Sequence, residues 1–106
     1  MKIETKSGEI INVFATYWIK NETYFYGIPF DYGGLIAYRD TEIVIVEPKL
    51  NFNTIFFKGQ TNGYGIFHWA LIEKNLLDDL LELDQNAYKY FLEIIKSENL
   101  VEPDFY

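Results

Sequence analysis

One histidine, two serines and no cysteine set the limits of what this 106-residue chain could catalyse. His68 is the only side chain whose unperturbed pKa lies near neutrality. A general base needs a nucleophile or an acid within hydrogen-bond reach. Ser7 and Ser97 stand at the two ends of the chain, and there is no thiol to become a thiolate. A triad has no members to draw on, so His68 reads as a structural histidine in an apolar strand.

Carboxylates are more plentiful. The stretch YFYGIPFDYGG, residues 24–34, sets five aromatic rings, one proline and three glycines around Asp31. Two acids flanking a sugar would serve a glycosidase, and Asp40, Glu42 and Glu47 follow Asp31. Positions 40 and 42, however, read as a turn and a solvent face. No histidine pair, HExxH or D-x-[DN]-x-[DN]-G spacing is present, so neither a metal nor a cofactor is expected. GYG at 63–65 leads into a strand, whereas a phosphate loop must lead into a helix.

Charge is distributed unevenly. Residues 1–77 carry eight acids and seven bases; residues 78–106 carry eight acids against Lys89 and Lys96. Asp78, Asp79, Glu82 and Asp84 form the densest acidic cluster. Asp78 and Asp79 suit the first turn of a helix, where they complement its dipole. Glu82 lies four residues from Asp78 and is repelled by it, so the cluster reads either as a solvated helix face or as a surface that meets a partner. Arg39 is the sole arginine in a chain of net charge −7. Phosphate binding needs clustered Lys and Arg, so no nucleic-acid partner is expected; the electrostatic complement is a basic protein.

Aromatic residues reach 19% of the chain, with nine tyrosines. A core of this size cannot absorb every phenol, so several must be exposed. Tyr beside acids suits a protein interface, in which rigid rings anchor and charge steers. Tyr24, Tyr26, Tyr32 and Tyr38 are the tyrosines expected in that role.

The elements that must position these residues follow from periodicity. Residues 9–20 alternate, which predicts a long strand with Ile11, Val13, Ala15, Tyr17 and Ile19 on one face. A turn at KNE leads into TYFYGI, and Pro29 with Gly33-Gly34 breaks the pattern. GLIAYR and EIVIVE read as strands joined across Asp40-Thr41, and TIFFK as another. Asn62-Gly63 favours a tight hairpin into YGIFHWALIE, read as a last, central strand. From Asn75, a possible cap, Leu76, Leu80, Leu83, Ala87, Tyr90 and Ile94 trace one stripe of an amphipathic helix over 75–98. The alternative is two helices, with Asp84 capping the second. Asn99 suits a left-handed stop. The expectation is a single α+β domain over residues 1–106, an antiparallel sheet of five to six strands covered by a C-terminal helix.

MKIETKSGEI lacks the apolar core of a secretory signal, and GIFHWALI is too short to span a bilayer. A cytoplasmic protein without a membrane partner is expected. Small, acidic, cysteine-free and tyrosine-rich, the chain resembles bacterial toxin-immunity proteins of the contact-dependent growth inhibition type. The resemblance lies in overall size and charge. It implies a non-enzymatic inhibitor that binds a cognate basic toxin, often a nuclease domain. Under it, Asp78, Asp79, Glu82 and Asp84, or the loop bearing Tyr26, Phe30, Asp31 and Tyr32, would meet the toxin. Two alternatives stand beside it. One is a small enzyme or ligand-binding domain using Asp31 and His68 beside aromatic rings; the other is an adaptor that self-associates through its sheet edge or helix.

Overall fold

The computed structural model describes residues 1–59 and 63–106, and along them seven strands precede three helices. The strands are β1 (Lys2–Thr5), β2 (Ile10–Ile19), β3 (Glu22–Ile28), β4 (Ile36–Arg39), β5 (Ile43–Glu47), β6 (Thr54–Lys58) and β7 (Tyr64–His68). The helices are α1 (Trp69–Glu73), α2 (Leu77–Leu81) and α3 (Gln85–Ser97). The protein is thus α+β, with the expected antiparallel sheet and C-terminal helix. β1 is an additional strand, too short to show a period in the sequence. The hairpin expected at Asn62-Gly63 rests on Asn62, outside the described residues.

β2 organises the sheet. β3 pairs along its whole length on one side, through a two-residue turn at Lys20 and Asn21, both with positive φ. On the other side β2 pairs first with β1, at residues 10–12, and then with β7, at residues 15–18. The sheet therefore forks at Val13 and Phe14. There the register against β3 slips, Val13 facing Gly27 while Ala15 faces Tyr26, so Phe14 is the extra residue of a β-bulge. A bulge inverts the alternation. Ile11 and Val13 join Ile3 and Phe25 in one small core, whereas Phe14 and Ala15 join the larger one. The single face expected for Ile11 to Ile19 is corrected accordingly.

β4 and β5 were expected to be joined across Asp40-Thr41, and they are, by one 3-10 turn at Asp40–Glu42. They do not pair with each other. The path runs β4-β3-β2-β1-β5, which puts them at its two ends. In a flat sheet those ends would lie about 19 Å apart, and a single 3-10 turn advances only about 6 Å. The sheet must curl. Its concave side holds Ile3, Ile11, Val13 and Phe25, closed by Tyr38 and Ile43.

The three helices cover the other face, where Phe14, Ile28, Leu35 and Phe67 meet Leu71, Leu80, Tyr88, Phe91 and Ile95. YGIFHWALIE is not one strand. β7 ends at His68, whose Nδ1 accepts the Ala70 N–H at 3.1 Å and so caps α1. Nor is 75–98 one helix. Asn75 does not cap a start but ends α1 with φ +54, and Leu83, at φ +62, separates α2 from α3. Asp84 caps α3, accepting the Ala87 N–H at 2.8 Å. The break shifts the stripe by one residue: Ala87, Tyr88, Phe91, Leu92 and Ile95 are buried, while Leu83 and Tyr90 are exposed. Asn99, at φ +60, stops α3 as expected. Among the described residues no helix is long and apolar enough to cross a membrane.

Candidate functional site

The two patches singled out in the sequence become neighbours. Residues 29–34 lead back from β3 and dock on the C-terminal end of α2, where the Leu35 N–H donates to the Leu80 carbonyl at 3.1 Å. Only glycine fits beside that bond. A Cβ on Gly34 would lie 2.5 Å from the Leu80 oxygen and equally close to Leu83 Cδ2. The loop is held from a second direction by the C-terminal segment: the Asp31 N–H donates to the Tyr106 carbonyl, and the Phe30 and Phe105 rings meet edge to face at 5.7 Å. Held this way, Phe30 (63% exposed), Asp31 and Tyr32 stay at the surface.

Asp78, Asp79 and Glu82 are exposed along and just beyond α2, together with Leu81 and Leu83. Leu83 holds a left-handed conformation that costs a non-glycine residue about 1 kcal/mol or more. A glycine or asparagine would occupy that position more cheaply. Its side chain instead reaches over Gly34 and remains 43% exposed. Asp84 plays a different part from its neighbours, because its carboxylate is engaged as the α3 cap.

Tyr26 faces away from the loop tip and belongs to a row of rings on the sheet. Tyr17 stacks on Tyr24 at 5.1 Å and on Tyr26 at 4.5 Å, and Phe67 continues the row 6.3 Å from Tyr26. Beyond Tyr26 opens a cleft of about 230 Å³ lined by Tyr17, Tyr26, Phe57, Tyr64, Phe67 and Leu77, with Asp78 at its edge. Tyr26 and Asp78, read separately in the sequence, thus line one cavity. Burial, and then Tyr26 beside it, push the Tyr17 phenol well above its ordinary pKa. It is a neutral hydroxyl at any physiological pH, which leaves Asp78 as the charged group among the described lining residues.

His68 lies elsewhere, fully buried among Phe14, Phe52, Trp69 and Phe91. Because Nδ1 accepts the Ala70 N–H, the proton of the neutral ring sits on Nε2, which donates to Glu98 Oε1 at 2.6 Å. The other Glu98 oxygen accepts the Trp69 indole N–H at 2.7 Å. Both ring nitrogens are therefore spent on structure, tying the start of α1 to the residue after α3. Glu98 also lines a cleft of about 390 Å³ at the fork of the sheet, with Lys2, Asn12, Glu47, Asn51 and Phe52. Neither this cleft nor the aromatic one is lined by Asp31 or His68. The pairing on which an Asp31/His68 enzyme would depend is not formed there.

Burial holds the His68 pKa below its ordinary value, with the Glu98 carboxylate pulling partly the other way. The unfolded chain thus takes up a proton at a pH where the folded chain still resists it. Stability is full above the unfolded value of about 6.5 and falls as the pH drops below it towards the folded value. One proton contributes at most about 1.4 kcal/mol per pH unit. The urea midpoint is expected to fall between pH 7.5 and 5.5. His68→Asn, which can still accept from Ala70, is expected to flatten that slope; an equally steep fall in the variant would assign it to other groups.

Compared with protein-family models, with curated proteins and with solved structures, the chain matches none. Sequence reasoning did not find Phe57, Tyr64, Phe67, Leu77, Leu81 and Leu83, all of which belong to the surface just described or its cleft. Phe57, Tyr64 and Phe67 read as strand residues, which they are. Nothing local marks which of their faces the helices leave open.

Proposed function

We propose that the protein is a binding protein that captures and neutralises a cognate basic toxin domain in the cytoplasm of the cell that makes it. The observation that carries this reading is the docking of residues 29–34 on α2. It brings the loop that exposes Phe30, Asp31 and Tyr32 against the short helix α2, along and just beyond which Asp78, Asp79, Leu81, Glu82 and Leu83 are exposed. Exposed rings and leucines provide anchors, and the carboxylates provide complementarity to a cationic surface and faster encounter.

The test is co-purification with the protein encoded immediately upstream, combined with rescue from its toxicity. The triple variant Asp78→Lys, Asp79→Lys, Glu82→Lys changes only exposed side chains and is expected to keep the fold. It should weaken the complex by at least about a hundredfold at low salt. No complex and no rescue by the unaltered protein would overturn the reading.

A second reading, self-association through the sheet edge, is favoured by β5. It ends the strand path, and Val44, Ile45 and Val46 are 67%, 47% and 51% exposed. Edge strands are ordinarily guarded by charge or proline. Sedimentation across a range of concentrations would reveal a dimer, and Val44→Lys would abolish it.

A further inference from the structure

We propose that the aromatic cleft beside Asp78 is a receptor for an arginine side chain presented by the partner. This deepens the binding role proposed above and rests on it for the source of the arginine. The tyrosine row carries the argument, because a guanidinium and a carboxylate meet it at one end, while the described lining at the other end offers rings and a carboxylate without a cation. At the first end the Arg39 guanidinium lies 6.0 Å from the centre of the Tyr24 ring and is paired with Glu22. Glu22 in turn accepts the Tyr24 hydroxyl at 2.6 Å. A ring, a guanidinium and a carboxylate thus form one closed unit.

At the other end the row passes through Tyr17 to Tyr26 and Phe67, with Phe57 edge-on to Phe67 at 6.0 Å, and the carboxylate is Asp78. Rings and carboxylate are present again. No Lys or Arg stands among the described residues that line this cleft. π-faces and a carboxylate in a chain of net charge −7 favour a cation. A planar guanidinium can stack on a ring and bond a carboxylate in the same pose, which an ammonium cannot. The volume of about 230 Å³ lies below the roughly 300 Å³ at which pockets for drug-sized ligands begin. It suits one side chain.

The fork cleft is not an equivalent candidate, because Lys2 already lines it beside Glu47 and Glu98. The probe is N-acetyl-arginine amide titrated into the full chain, followed by the backbone amide resonances of Gly63, Gly65, Leu77 and Asp78. Saturable shifts are expected, with a dissociation constant on the order of millimolar. N-acetyl-citrulline amide, equal in shape but uncharged, is expected to produce none. Asp78→Asn, at an exposed position, should weaken arginine binding about threefold to tenfold. Equal shifts with citrulline, tighter binding of N-acetyl-lysine amide, or no saturable shift would overturn the inference. A toxin complex that persists when arginine fails to bind would leave the broader reading standing. Arginine binding without any toxin complex would do the reverse.

Discussion

His68→Ala is expected to cost the protein about 3–5 kcal/mol, the largest loss anticipated for a single polar residue here. Three consequences combine. The ring leaves a hole between Phe14, Phe52, Trp69 and Phe91, with which it makes contacts at centroid distances of 4.9 to 6.1 Å. The Ala70 N–H loses its acceptor inside the buried start of α1. Glu98 keeps only the Trp69 donor. His68→Asn separates these effects, because it restores the cap alone and should recover about 1 kcal/mol. Urea unfolding of the three proteins at pH 7.5 measures the differences. A loss below about 1 kcal/mol for the alanine variant would show that the tie between α1 and α3 is not a main support of the fold.

Gly34→Val is expected to cost about 2–3 kcal/mol and, more tellingly, to detach the aromatic loop from α2. The obstacle is backbone, the Leu80 carbonyl 2.5 Å from the new Cβ, so no side-chain rotation relieves it. Leu35, which is buried, and its N–H bond to Leu80 would be displaced together. Gly33→Val offers the comparison. Its Cβ would meet nothing within 4 Å, yet its φ of +88 makes any side chain strained. That variant tests backbone strain without the collision. If docking presents the partner-binding surface, Gly34→Val loses toxin binding beyond what its lower stability explains, and Gly33→Val keeps it. Equal binding by both variants at a temperature where both are folded would separate the docked loop from function.

How far the sequence reaches can be judged from the same residues. Alternation in 9–20, the turn at Lys20-Asn21, the β-branched run EIVIVE and the four-and-three spacing after Asn75 are local signals. Local sterics and the pairing of nearest neighbours in the chain produce strands, a hairpin and helical segments from them, so the α+β class was legible. The acidic cluster and the ring-rich loop were legible as candidate contacts for a similar reason, since charge and ring content belong to composition. A lone histidine without a nucleophile likewise pointed to structure, and its two nitrogens are both occupied.

Other features depend on contacts between residues far apart in the chain. The bulge at Phe14 leaves no local mark; it exists because β2 must turn one half towards Ile3 and Phe25 and the other towards the helices. Leu83 breaks the helix although its propensity favours continuing, because the loop bearing Gly34 must reach the Leu80 carbonyl. The cleft needs Tyr26 from β3, Phe57 from β6, Phe67 from β7 and Asp78 from α2 at one place. Periodicity constrains residues a few positions apart, and only packing of the whole chain brings those four together. The sequence by itself determined the kinds of element and the chemistry they carry. The tertiary structure decided which faces are covered, and therefore which rings and carboxylates remain exposed.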